Sequence, residues 1–326
     1  MPSLTFPDFE AYSNAVKGVD GEMRVTGRSD AAWVLNTLEI GDISVLHGMD
    51  GAPVTYRGAL HSARFGVYLS LPGSDTELEG EQVGDDGYIW MAPRQEMQGF
   101  TRVPARFLGV DLAEARVLGQ AVRMGLDTQA LYRTTHVRSN PQAVAEVVAL
   151  TQRAFDVHAQ NPEAFAEPAA QQAFAAQITT AVLQCRPLPL CPSLAVSRRG
   201  RPPLPRKEIV RRGIDHIQRS LRGEVPYADM PFAVGASHRS LNRAFGDAFG
   251  MAPRQFYVVE RLHAIRSALR SARPGDTVTG ICARFGVWDL GRMAALYSRL
   301  FNILPAQELS RALAAQAGVP VGPRRR

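Results

Sequence analysis

Hydrophobic positions change their period along this chain, and the changes mark its parts. From about Val25 to Asp111, the short apolar runs WVLNTLEI, DISVLHGM, RFGVYLSL, GYIWMAP and ARFLGVDL are separated by Gly41-Asp42, Gly51-Ala52-Pro53, Pro72-Gly73 and Gly84-Asp85-Asp86-Gly87. Short runs punctuated this regularly predict strands of a β-sandwich or barrel. Within residues 64–71, Phe65, Val67, Leu69 and Leu71 alternate with Arg64, Gly66, Tyr68 and Ser70, so one face should be dry. From Gln142 to Gln160 and from Ala169 to Cys185 the spacing turns helical. Val144, Val148, Thr151 and Phe155 form one stripe, and Phe174, Ile178, Ala181 and Val182 another. A seam left exposed on such helices would be a natural dimer face.

Between Pro226 and Arg311 one small helical device is written twice. In AVGASHRSLNRAFGDAFGMAP, Gly235 supplies a turn, Ser237 stands where an N-cap accepts a first-turn N–H, and Leu241, Phe245 and Ala248 or Phe249 make a buried stripe. In ARFGVWDLGRMAALYSRLFNILP, Gly286 is the turn, Asp289 the cap, and Met293, Tyr297 and Leu300 or Phe301 the stripe. Gly250 and Asn302 each follow a phenylalanine as residues able to take the left-handed conformation, and Pro253 and Pro305 come three residues later to stop continuation. The intervening residues 255–271 place Val258, Leu262, Ile265 and Leu269 on one seam. A helix of that length is about 26 Å long, enough to hold two recognition helices about one duplex turn, or 34 Å, apart. Pro231 conflicts with this pattern. If the first helix begins at Pro226, an interior proline costs about 3 kcal/mol, so the helix must start late or kink.

Charge divides the chain at the same place. Residues 201–326 carry 21 basic and 9 acidic side chains, a net +12 against +6 for the whole chain, and Lys207 is the only lysine among them. An Arg-rich positive domain suits a phosphate backbone and bidentate contact with guanine. The run from Cys185 to Lys207, dense in Pro and Arg, reads as an extended tether. The resulting division is a β-rich domain over 1–140, a helical dimerisation region over 141–185, a Pro/Arg-rich linker over 186–206, a DNA-binding domain over 207–315 and a basic disordered tail over 316–326. No apolar run suits a membrane span and the amino terminus lacks a signal-peptide pattern, so a cytoplasmic location is expected. Cys185, Cys191 and Cys282 have no zinc or redox spacing.

With the G-x-S turn at residues 235–237, the pair Arg261-Leu262, the run Thr277–Cys282 and the turn Phe285-Gly286, this segment resembles the DNA-binding domain of AraC/XylS-type transcription regulators. The resemblance covers about 100 residues. It implies an α+β chain: a cupin-like β-barrel or sandwich with a helical dimerisation region, then an all-α double helix-turn-helix. Matched position by position, it turns His238, Arg239, Asn242 and Arg243 of the first unit toward bases, with Leu290 and Arg292 in the second, beside Gly291 and Ala295. Arg reaches guanine, Asn reaches adenine, and Leu290 a thymine methyl. Ser237, Ser240, Arg254 and Arg299 become phosphate contacts. The first unit should therefore supply most base specificity, with the second holding the register.

The amino-terminal half resembles the ethanolamine-operon type of regulator in layout alone. Trp33, His47, Tyr56, Tyr68 and Trp90 are candidates for a small-molecule pocket there. His47, His61 and Glu96 are the nearest thing to a metal set, without an H-x-H or H-E-x-x-H spacing; neither catalytic residues, a metal site nor a cofactor is expected. The function expected is an effector-responsive activator binding double-stranded DNA as a homodimer, with RNA polymerase and a small-molecule effector as partners and no membrane association. Two alternatives stay open: an amino-terminal domain that only dimerises, and a metal-dependent cupin enzyme fused to a DNA-binding domain.

Overall fold

A computed structural model describes residues 4–16, 19–84, 87–132, 135–138, 141–185 and 204–316. Most of the expected linker (186–206), Cys191 and nearly all of the expected tail lie outside the described residues. The chain divides into two compact units, one formed by Met1–Met23 with Ser29–Gly200 and the other by Arg24–Arg28 with Arg201–Arg326.

Two antiparallel sheets form the first unit, as the alternating runs anticipate. The larger is ordered β1 (Thr5–Phe6), β3 (Trp33–Ile40), β4 (Ile43–Met49), β11 (Arg106–Ala113), β6 (Arg64–Ser70), β9 (Gly87–Met91) and β12 (Thr135–Arg138). The smaller is ordered β2 (Val19–Val25), β5 (Val54–Leu60), β10 (Glu96–Thr101), β7 (Thr76–Leu78) and β8 (Glu81–Val83). Register then sorts side chains by parity. Val67 opposes Val110 and Trp90, while Tyr68 opposes Gly109 and Ile89. Because successive residues of a strand point to opposite faces, Phe65, Val67, Leu69 and Trp90 share the face that packs against helices. The other face, with Tyr68, Phe107 and Gly109, borders a cavity that residues of the smaller sheet also line.

The helices α1 (Phe9–Ala15), α2 (Glu114–Arg123), α3 (Pro141–Gln160) and α4 (Pro168–Gln184) complete this unit. The two apolar stripes expected on α3 and α4 are used internally. Val144, Phe155, Phe174, Ile178, Ala181 and Val182 belong to the same core as Val67 and Trp90, so burying them stabilises this unit and leaves no apolar seam of theirs for a second copy.

In the second unit the helices α5 (Arg206–Leu221), α6 (Met230–Val234), α7 (His238–Phe249), α8 (Pro253–Arg270), α9 (Val278–Arg284), α10 (Leu290–Phe301) and α11 (Pro305–Gln316) build two cores. Pro253 and Pro305 do more than stop the preceding helix, since each begins the next, where the missing N–H costs nothing. The long helix α8 departs from its expected single seam. Phe256 is buried among Phe245 and Phe249 of the first core, whereas Leu262, Ile265 and Leu269 are buried in the second with Ile281 and Tyr297. One helix thus serves as a wall for both clusters. Its far end is pinned by a buried ion pair, Arg266 to Glu308 at 3.3 Å, and Tyr297 donates to the same carboxylate at 3.2 Å.

Candidate functional site

The first helical device is assembled as its glycine and serine require. A short 3-10 turn over Tyr227–Asp229 precedes α6, which begins at Met230 with Pro231 in its first turn. The helix therefore starts late and needs no kink. Gly235 ends it at φ 71°, in the left-handed region, with open space where a Cβ would stand, so backbone conformation and not crowding demands glycine here. Ser237 then caps α7, its Oγ accepting the Ser240 N–H at 3.1 Å. Leu241, Ala244, Phe245, Ala248 and Phe249 are buried, and His238, Arg239, Asn242 and Arg243 stand exposed on the opposite side.

The second device repeats the construction. Gly286 sits at φ 66°, and Asp289 caps α10 by accepting the Arg292 N–H at 3.0 Å. Asn302 closes the helix at φ 56°, matching Gly250 at φ 65° after α7. Gly291, Arg292 and Ala295 are exposed as expected. Leu290 is only partly so, because it packs against the second core; the apolar reach expected of it is reduced. The most exposed large apolar group here is Trp288, immediately before the cap and 79% exposed. Periodicity missed it because it lies in the turn, outside either helix; its signal was a large aromatic where turns favour small polar residues.

Residues 232–311, which contain both devices, match the family model described as a helix-turn-helix domain. This part of the chain is a helix-turn-helix domain. A probable thc operon regulatory protein from Rhodococcus erythropolis is 31% identical over 102 residues, which is 31% of each chain, so this chain spans about a third of the length of that curated relative. Among solved structures, a probable AraC family transcriptional regulator from Rhodopseudomonas palustris CGA009 is 26% identical, covering 32% of this chain and 97% of that one with a TM-score of 0.30. The AraC-like transcriptional activator CuxR is 13% identical over 85% of this chain and 99% of its own, with a TM-score of 0.41.

Electrostatics separates two kinds of arginine in the helix-turn-helix unit. On α5, Arg211 and Arg212 hold Glu208 at 2.7 and 2.6 Å and push its carboxyl down to about 2. Arg206 pairs with Asp247 at 2.7 Å and Arg284 with Asp276 at 3.4 Å. Among the described residues no ion pair engages Arg239, Arg243 or Arg292, nor Arg254 or Arg299, which are also exposed. Ser237 and Ser240 are exposed as well, their hydroxyls 3.0 Å apart.

In the β-rich unit the structure brings together only part of the expected pocket. Tyr56 and Tyr68 line a cavity of about 180 Å³ together with Asp50, Arg57, Met97 and Phe107. Trp33 instead packs on Phe9 and Tyr12, with centroid separations of 5.4 and 4.9 Å. Trp90 is fully buried on the helix-facing side of its sheet, where its indole N–H donates to the Leu131 carbonyl at 2.7 Å. His47 lies near Phe155 of α3, and burial with the nearby Arg106 guanidinium pushes its pKa down. Strand parity explains the split, since Tyr68 and Trp90 stand on opposite faces. The residue that sequence reasoning overlooked is Asp50. It is 3% exposed, its Oδ1 accepts the Tyr12 hydroxyl at 2.7 Å, and burial pushes its pKa up to about 7. Among the described residues, no group of three or more His, Cys, Asp or Glu side chains is arranged to hold a metal ion, and no helix is long and apolar enough to cross a membrane.

Proposed function

We propose that this chain is a sequence-specific, AraC-type DNA-binding transcription regulator whose two helix-turn-helix units read successive major grooves. The observation that carries this reading is the pair of capped recognition helices, α7 and α10, each presenting exposed arginine without an ion-pair partner among the described residues. Side chains committed to intramolecular pairs, such as Arg211 and Arg212, would have to break those pairs to meet DNA; Arg239, Arg243 and Arg292 would not. Asn242 adds an adenine reader to the first helix, and Trp288 gives the second an apolar surface for a thymine methyl or sugar. The first unit then carries most of the base specificity, while Ser237, Ser240, Arg254 and Arg299 position the backbone.

The β-rich unit is the sensory one in this reading, acting as an effector-responsive switch rather than an enzyme. A cavity with apolar walls and few polar groups supports it over a unit that only dimerises. An effector would shift the population of the conformer in which two copies meet two half-sites. A dimer carried by α3 and α4 would use their outward faces, given that their apolar stripes are buried at home.

Chromatin-bound DNA sequencing identifies the operator, and binding to it by Arg239→Ala, Arg243→Ala and Arg292→Ala tests the groove assignment. Truncating an arginine that reads a base should cost about 1 to 3 kcal/mol and relax preference at one position. Unchanged sequence preference in all three variants would overturn the assignment.

A further inference from the structure

The cavity of the β-rich unit has a chemical character that narrows what it can hold, given the reading of that unit as sensory. Its walls are carbon and aromatic surface, from Leu46, Leu60, Met91, Met97 and Phe107 with the rings of Tyr56 and Tyr68. Its charged lining is mostly acidic: Glu22, Asp50 and Asp111 against Arg57 alone. Two of those carboxylates have cations of their own, with Glu22 3.3 Å from Arg57 and Asp111 2.7 Å from Arg64. Asp50 is different. It is the most deeply buried of the three, and among the described residues its carboxyl receives the Tyr12 hydroxyl and no cation. The Tyr56 hydroxyl is enclosed as well, lying against Tyr68 without a well-formed hydrogen bond.

A buried carboxyl without a countercharge is costly to ionise, and an enclosed hydroxyl oxygen has lone pairs to offer. Both deficits are relieved by the same kind of guest. We infer that this cavity binds a small organic cation, a protonated amine or amidine on an apolar body, with N–H groups donating to Asp50 and to the Tyr56 hydroxyl and with the body against Phe107, Met91 and Met97. Tyrosine rings in the wall suit a cation in addition, through their negative faces. An anionic guest would meet Asp50 with like charge and find Arg57 already engaged by Glu22.

Acidity adds a second handle on the same geometry. Burial pushes Asp50 up to about 7, and its polar surroundings are Tyr12, Tyr56 and Tyr68, with Glu22, Arg57 and Asp111 elsewhere on the lining. The tyrosines, all pushed upward by burial, stay protonated through neutrality. Cation binding should therefore strengthen as pH rises from 6 to 8 and Asp50 ionises, by about tenfold.

The test uses the full-length protein with probes that share one ring: benzylamine and benzamidine as cations, benzoate as anion, benzyl alcohol and benzamide as neutral molecules. Thermal shift and calorimetry at pH 6, 7 and 8 should show binding of the cations alone, lost in Asp50→Asn and weakened in Tyr56→Phe, which keeps the ring. Binding of benzoate or of the neutral probes in preference to the cations overturns the cation class and leaves the sensory reading standing. Failure of all five probes to bind overturns it too, while operator titration still tests the DNA-binding reading independently. A cation that binds through Asp50 but leaves operator affinity unchanged upholds the ligand class and overturns the sensory reading.

Discussion

Gly235 and Gly286 show how much a single backbone angle decides in this protein. Each holds a φ near 70° between two helices, with nothing within 4 Å of a notional Cβ. Substitution by alanine would meet no clash, so its whole effect should come from the left-handed conformation, about 1 to 2 kcal/mol. Denaturant unfolding of Gly235→Ala should show a loss of that size, and an unchanged midpoint would mean the turn tolerates another geometry. Asp50 makes a second residue-scale case, now through protons. Its folded-state pKa is raised from an ordinary value near 3.8 to about 7, so between those values the unfolded chain has released a proton that the folded chain keeps. Stability should therefore fall as pH rises from about 4 to 7, with a contribution of up to about 4 kcal/mol, and level off above that. Comparing Asp50→Asn with the parent by chemical denaturation at pH 4.5 and 7.5 checks this; the variant should lack most of the decline. This proton was not legible in the sequence, because an Asp ahead of Gly51 reads as an ordinary turn residue.

At the scale of elements, Pro231 is informative. Counted from Pro226 it falls inside a helix, yet the 3-10 turn at Tyr227–Asp229 moves the helix start to Met230 and puts the proline in the first turn. There it has no intrahelical bond to break and its fixed φ suits the helix. Pro231→Ala should accordingly change stability by less than about 0.5 kcal/mol in either direction, measured by denaturant midpoint. A gain of several times that would reveal strain that the late start fails to remove. Helix α8 makes the complementary point. Its seam at Leu262, Ile265 and Leu269 was legible from spacing, but the burial of Phe256 in the other core was not. Periodicity within one helix records which positions are apolar; which neighbour each one meets depends on elements far along the chain. Gly213 of α5 shows the same limit, since a Cβ there would come 2.6 Å from the Phe245 ring, a closeness that only the packed pair of helices creates.

For the whole molecule, opposite charge in its two parts sets the expected behaviour on DNA. A domain with 21 basic and 9 acidic residues from position 201 onward should release counterions on binding, so operator affinity should fall steeply with salt. The proposed phosphate contacts can be separated from the base contacts by this dependence. Arg254→Ala and Arg299→Ala should each lower the slope of log affinity against log salt by about one while leaving sequence preference intact. A relaxed preference in either variant would move that arginine to the base-reading set. The arrangement also bears on assembly, because α3 and α4 bury their apolar stripes within their own unit. Light scattering over a concentration series measures whether their outward faces suffice for a dimer.

What the residues determined unaided is local. Glycine, serine, aspartate and asparagine at set distances specify turns and caps through backbone conformation and first-turn N–H groups, and those interactions span only a few residues, so both capped helical devices were readable from spacing alone. Alternation in Phe65–Leu71 likewise determined that two faces would differ. Tertiary structure decided what each face meets. Tyr68 borders a cavity because a second sheet lies opposite it, Trp90 is core because α3 and α4 cover the other side, and Asp50 holds its proton to near neutrality only because burial removed its water. Conformation is set by neighbours in sequence, whereas desolvation is set by neighbours in space, and the state of the Asp50 carboxyl depends on the second.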